Sequence, residues 1–105
     1  MRTSVSILHH DYPTLVRDSV AERLRVLDRY HDHIVTVRAR LERQGGGHRV
    51  EIVTCIASGP TLVADGRAEG LGGALDRALE RMTRLLERAG DKRTARRRRR
   101  ARSQA

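Results

Sequence analysis

Hydrophobic and polar residues alternate along four stretches of the chain, with the period of two that is typical of strands buried on one face. The four stretches are Thr3–Leu8, Ile34–Glu42, His48–Ala57 and Thr61–Asp65. Three consecutive glycines, residues 45–47, separate the second stretch from the third and predict a hairpin. In the last stretch we expect Leu62 and Ala64 to face the core, and Gly66 to end the strand.

Two other segments repeat their apolar residues every three or four positions, which is the spacing of a helix with one buried face. The first is expected to begin at Pro13, whose fixed φ suits a first helical turn, and to run to about Arg29. The residues on its core side are Val16, Val20, Leu24, Leu27 and Tyr30. The second is expected to begin near Glu69. Its core stripe is Leu75, Leu79, Met82 and Leu86.

A line of arginines follows the same spacing on the opposite side of the second predicted helix. Its members are Arg77, Arg81, Arg84 and Arg88. Ion pairs along the helix, such as Glu80 with Arg84, are one explanation of this pattern. The basic residues continue with Lys92, Arg93, Arg96, Arg97, Arg98, Arg99, Arg100 and Arg102. Solvation alone gives no reason for this concentration, whereas an extended anionic partner does.

The order of the predicted elements is strand, helix, three strands, helix. It indicates an α+β fold in which two helices lie on one face of a four-stranded, mostly antiparallel sheet. We expect one domain, residues 1–91, with a modest core. Residues 92–105 are expected to form a disordered, arginine-rich tail, because they are highly charged and have almost nothing to bury.

Charge is distributed unevenly along the chain, whose formal net charge is +9. Residues 92–105 hold eight Lys and Arg and no acid, so residues 1–91 are nearly neutral, with 14 bases against 13 acids. Such a concentration favours nucleic acid as the partner. A membrane is not expected, because no apolar stretch approaches spanning length and the basic run has no apolar residues to insert. A single cysteine and the absence of a secretory signal predict a cytoplasmic protein.

The chain offers few candidates for a catalytic or metal-binding site. The five histidines and Cys55 supply possible metal ligands, but their spacings match no structural zinc pattern, and surface or strand histidines explain them better. No Ser, Thr or Cys lies in a nucleophile context, and no pair of carboxylates stands apart from the salt-bridging acids. The glycines of residues 70–73 lack the lysine that ends a phosphate-binding loop. We therefore expect that the protein is not an enzyme and that it binds no cofactor, metal or small-molecule substrate.

The residues themselves resemble a known family. The sequence LDRYHDHI at residues 27–34 is similar to the helix-to-strand junction of ribosome hibernation-promoting factors, the ribosome-associated inhibitors that are also described as sigma-54 modulation proteins. The resemblance continues through HRVEI at residues 48–52, LVAD at residues 62–65 and ALD at residues 74–76. It covers about residues 3–93, and the ordered set is fairly specific although no single piece is decisive.

The resemblance implies a two-layer β-α-β-β-β-α sandwich that is similar to a double-stranded RNA-binding domain. It also implies a stress-response protein that binds the small ribosomal subunit, through ribosomal RNA and proteins, in the channel used by messenger RNA and transfer RNA. Such a protein inhibits translation by keeping idle ribosomes inactive. Longer members add a C-terminal dimerisation domain, so this chain is expected to be a short form and a monomer off the ribosome. The alternative is a general double-stranded RNA or nucleoid-binding module of the same fold.

Basic residues of both helices and of the tail are the expected RNA contacts. They are Arg17, Arg23, Arg77, Arg81, Arg84, Arg88, Lys92, Arg93, Arg96, Arg97, Arg98, Arg99, Arg100 and Arg102. Arg23 falls inside the apolar arc of the first helix. Two roles for its side chain are open: it extends past the edge of the core into solvent, or it contacts RNA directly. Gly70 and Gly72 stand where the family usually has an acidic residue and an aromatic residue. Their low helix propensity predicts that the second helix begins late.

Overall fold

The computed structural model describes residues 1–7 and 12–91 with their side chains, and residues 92–104 as backbone only. Its four strands are β1 (Arg2–Ile7), β2 (Ile34–Gln44), β3 (Gly47–Ile56) and β4 (Thr61–Ala68). They form one sheet in the order β1-β2-β3-β4. β1 runs parallel to β2, and the other two pairings are antiparallel. The expected strands are therefore confirmed, in a mixed sheet with β1 and β4 at its edges.

The first helix, α1, covers Thr14–Leu24 and continues as a 3₁₀ helix over Arg25–Tyr30. Val20, Leu24 and Leu27 are buried as predicted. Tyr30 is 39% exposed, so the prediction that it faces the core is wrong. The reason is the change of helix type, because the 3.6-residue spacing that placed Tyr30 on the core side does not hold in a 3₁₀ helix.

The second helix, α2, covers Leu71–Gln104. Its first backbone hydrogen bond from residue i to i−4 runs from the Ala74 amide to the Gly70 carbonyl, at 3.1 Å, so the helix begins two residues later than predicted. The backbone is helical through residues 92–104, where the sequence predicts a disordered tail. Arginine is a good helix former, and extending a helix that is already docked requires no new nucleus.

Both helices pack on the same face of the sheet, as expected. The core stripe of α2 is buried, with Leu75, Leu79, Met82 and Leu86 between 0% and 8% exposed. From the sheet, the buried residues come from alternate positions of the strands. They are Val37, Ala39, Leu41, Val50, Ile52, Thr54, Ile56 and Ala64, and Ile34 is also buried, before the irregularity in the pairing of β2 with β3. The opposite face of the sheet carries the other half of the alternation, which is mostly polar but includes Val53 and Val63.

Gly66 lies inside β4 and does not end it, which corrects the sequence prediction. A Cβ atom at this position would lie 2.5 Å from the amide nitrogen of Ala78 and closer still to the carbonyl oxygen of Ala74. Both atoms belong to the backbone of α2, which cannot move aside as a side chain can. Glycine is therefore required here for the helix to approach the sheet, and this approach places Arg77 and Arg81 beside β4.

Candidate nucleic-acid interface

The arginine line of α2 lies on the exposed side of the helix, as its spacing predicts. Arg77, Arg81, Arg84 and Arg88 are all exposed, while the side of α2 toward the sheet is apolar. The four side chains nevertheless differ in what they contact. Two of them bond to the sheet, one pairs within the helix, and one has neither an ion pair nor a hydrogen bond in the described part of the chain.

Arg77 and Arg81 reach the free edge of β4. The Arg77 guanidinium donates to the carbonyl oxygen of Arg67 at 2.5 Å, and the Arg81 guanidinium donates to that of Asp65, also at 2.5 Å. An edge strand leaves alternate backbone groups without a partner strand. These arginines therefore satisfy edge carbonyls of β4, a role that the helical spacing alone does not indicate.

Arg84 and Arg88 point away from the sheet. Arg84 donates to Glu80 at 2.6 Å, the i,i+4 pair expected from the sequence, and both side chains are 64% exposed. An exposed pair of this kind contributes only a few tenths of a kcal/mol, so Arg84 can exchange Glu80 for another anion at little cost. Arg88 has no carboxylate partner among the described residues. These two guanidiniums are the most available of the line.

The arginines expected on α1 are both exposed. Arg23 forms an ion pair with Asp76, which joins α1 to the first turns of α2. Arg23 therefore extends to the edge of the core, and the ion pair competes with any contact to RNA. Arg17 makes no ion pair in the described residues. The side chains of the remaining expected contacts lie outside the described residues. They are Lys92, Arg93, Arg96, Arg97, Arg98, Arg99, Arg100 and Arg102.

Sequence analysis overlooked basic residues on the sheet face opposite the helices. Arg38 and Arg40 of β2 and Arg2 of β1 are exposed there. The signal was present, because Arg38 and Arg40 occupy the polar half of an alternating strand. It was overlooked because such residues are usually only a solvated face.

Other titratable groups occupy defined environments. His31 is buried, at 7% exposure, and its Nδ1 accepts a hydrogen bond from the His33 amide at 3.1 Å, so it is not a surface histidine. Hydrogen bonds from Thr36 and then Thr61 lower the pKa of the Cys55 thiol below its ordinary value.

Within residues 1–7 and 12–91, no group of three or more His, Cys, Asp or Glu is arranged to hold a metal. None of the described helices is long and apolar enough to cross a membrane.

A two-layer sandwich with an exposed basic helical face is the architecture that the structure establishes. The chain belongs to the family described as sigma 54 modulation protein / S30EA ribosomal protein, which matches residues 4–94. This is a family of ribosome-associated modulation factors that are not known as enzymes. No curated protein matches the chain significantly.

Two solved structures are similar to it. The N-terminal domain of Protein Y from Thermus thermophilus has a TM-score of 0.73 and 27% sequence identity, and the match covers 84% of this chain and 98% of that one. A ribosomal subunit interface protein from Coxiella burnetii has a TM-score of 0.70 at 14% identity, over 84% of this chain and 96% of that one. The second likeness is evidence of the fold alone.

Proposed function

We propose that this chain is a ribosome hibernation factor, which binds the small ribosomal subunit in the channel used by messenger RNA and transfer RNA and keeps idle ribosomes inactive. The observation that carries the proposal is the exposed pair Arg84 and Arg88 on the solvent side of α2, in a member of a ribosome-associated family. We further propose that the protein acts in the cytoplasm, where the ribosomes are, and during stress.

The chemistry of these side chains supports a phosphate partner. A guanidinium carries five N–H donors in a planar fork that suits phosphate oxygens. Arg84 and Arg88 present this fork to solvent, and Arg77 and Arg81 keep further donors after their bonds to β4. In our proposal Arg17, Arg23 and the basic residues from Lys92 to Arg102 make further contacts with phosphates. The chain has two tyrosines and no phenylalanine or tryptophan, so few side chains could stack on bases. We therefore expect the protein to contact the phosphate backbone of the RNA.

Sedimentation through a sucrose gradient tests the proposal. The wild-type chain should enter the small-subunit and whole-ribosome fractions of a stationary-phase lysate at low salt. The double variant Arg84→Glu/Arg88→Glu should remain at the top with an unchanged circular dichroism spectrum, because neither side chain bonds to the sheet. The matched variant Arg43→Glu/Arg67→Glu reverses two exposed arginines of the sheet and should still sediment. A wild-type chain that never enters the ribosome fractions would refute the proposal.

A general double-stranded RNA or nucleoid-binding module is the second candidate. It is favoured by the same lack of base-reading side chains, since phosphate contacts carry little sequence information. Competition separates the two functions. A hibernation factor should stay on ribosomes when naked duplex RNA is added at an equal concentration of phosphate, whereas a general module should be distributed between the two.

A further inference from the structure

The sheet face opposite the helices is uncovered by any element in the described part of the chain, and its two halves differ in charge pairing. Rows of residues cross this face from strand to strand. Ser4 of β1 stands opposite Arg38 of β2, which stands opposite Val53 of β3. In the next row Ser6 stands opposite Arg40, and Arg40 stands opposite Glu51.

The acidic residues on the half formed by β3 and β4 are already held in ion pairs, since Arg49 is shared by three carboxylates and Arg67 also lies 3.9 Å from Asp65. Arg49 lies 3.2 Å from Glu51, 3.3 Å from Asp65 and 3.7 Å from Glu42, measured between guanidinium nitrogens and carboxylate oxygens. Burial lowers the pKa of Arg49, but its hydrogen bonds and the charges of Asp65 and Glu51 raise it by more, so the group stays charged. Glu51, which faces Arg40 across the strands, is therefore already engaged by Arg49.

The half formed by β1 and β2 is not neutralised. Arg2, Arg38 and Arg40 are exposed, and none of them forms an ion pair in the described part of the chain. Residues two apart on a strand are separated by about 6.8 Å, so Arg38 and Arg40 stand side by side on one face. Ser4 and Ser6 stand beside them and add hydroxyl groups. Like charges at this separation repel one another and form no ion pair with a described residue, so they suit an external anion.

We propose that this surface, formed by Arg2, Ser4, Ser6, Arg38 and Arg40, binds the phosphates of a second RNA segment. The occupant is identified as RNA backbone by the guanidiniums and hydroxyls and by the absence of an aromatic ring from the surface. The inference rests on the proposed function and deepens it. Because the arginines of α2 lie in the other layer of the sandwich, one straight duplex cannot reach both surfaces. The partner is therefore a folded RNA that presents two segments, one to each side of the domain.

A photoreactive residue tests this contact with the arginines intact. Benzoylphenylalanine is placed at Ser4 in one full-length protein and at Glu87, beside Arg84 and Arg88, in another, and each is irradiated on purified ribosomes. We expect both positions to crosslink to ribosomal RNA. A crosslink to RNA from Glu87 without one from Ser4 overturns the second surface and leaves the proposed function standing. Failure of both proteins to sediment with ribosomes overturns both.

The salt dependence of binding provides a second measurement. Each phosphate contact contributes roughly 0.7 to 0.9 to the slope of log affinity against log salt. Arg38→Gln/Arg40→Gln should therefore lower the slope by about 1.5. The control Arg43→Gln/Arg67→Gln removes the same charge from exposed positions of the same sheet and should leave the slope nearly unchanged. Equal slopes for the two variants would show that only net charge matters and would overturn the proposal.

Discussion

Gly66 sets the distance between the sheet and α2. Any larger residue would meet the backbone of Ala74 and Ala78, and those atoms are held by the hydrogen bonds of the helix itself. The consequence extends beyond packing, because Arg77 and Arg81 lie on the same turns of α2 and bond to carbonyls on either side of Gly66. A shift of the helix would thus move the basic face as well as the core.

Substitution of Gly66 by alanine should lower the free energy of unfolding by about 1 to 3 kcal/mol, the usual cost of overpacking. Gly72 is the matched control, because nothing lies within 4 Å of a Cβ atom there and it stands in the first turn of α2. Gly72→Ala should be neutral or stabilising by up to about 1 kcal/mol. Urea unfolding measures both, and a loss of equal size at the two positions would contradict the packing argument.

Cys55 allows a test by pH. The hydroxyls of Thr36 and Thr61 favour the thiolate and lower the pKa of Cys55, so a larger fraction is ionised near neutral pH than in a free cysteine. Thr36→Val removes the first of these bonds and should raise the pKa. Alkylation by iodoacetamide should then become slower at pH 7 and recover as the pH rises. Thr83→Val, on α2, should leave the pH profile unchanged.

The line of arginines on α2 divides into two pairs that differ in their contacts. Arg77 and Arg81 bond to the edge of β4, where an open strand would otherwise invite pairing with another chain. Arg84 and Arg88, one and two turns further along, form no hydrogen bond or ion pair with the described residues of the sheet. The division follows from geometry, since only the first turns of the exposed side lie beside the edge strand.

Replacing Arg77 and Arg81 together by alanine should therefore destabilise the fold. We expect the free energy of unfolding to fall by about 1 to 2 kcal/mol for the two substitutions together. This is a low value for hydrogen bonds of charged groups, because both side chains are exposed. Concentration-dependent self-association by light scattering should accompany it. Arg84→Ala/Arg88→Ala should have neither effect. A stable, monomeric Arg77/Arg81 variant would show that the edge of β4 needs no covering.

The whole molecule presents exposed arginines on both sides of the sandwich, and the backbone of α2 continues to Gln104. Seven arginines occur in residues 93–105. If each neutralises a phosphate, deletion of these residues should lower the salt slope by several units, at about 0.7 to 0.9 for each contact. The preferred site on the small subunit should not change, because the folded domain sets position. Footprinting of the truncated chain measures this, and a moved footprint would assign targeting to the basic extension.

Occlusion of a channel also predicts a stoichiometry. A protein that blocks a site acts once for each ribosome, so inhibition of translation in vitro should saturate near one chain per ribosome. Titration of the protein against a fixed concentration of ribosomes measures the ratio. Strong inhibition at a small fraction of this ratio would instead indicate turnover.

The sequence by itself determined most of the elements and of the core, because these depend on local spacing, and it indicated the family through an ordered set of motifs such as LDRYHDHI at residues 27–34. Alternation specified the strands, and the period of 3.6 residues specified the buried stripe from Leu75 to Leu86. Only the tertiary structure decided which arginines are available. Arg77 and Arg84 have the same place in the helical pattern, but the carbonyl that holds Arg77 comes from a strand ten residues away in sequence. Gly66, which the sequence predicts to end its strand, lies within β4. Glycine is needed at this position because α2 lies too close to leave room for a side chain.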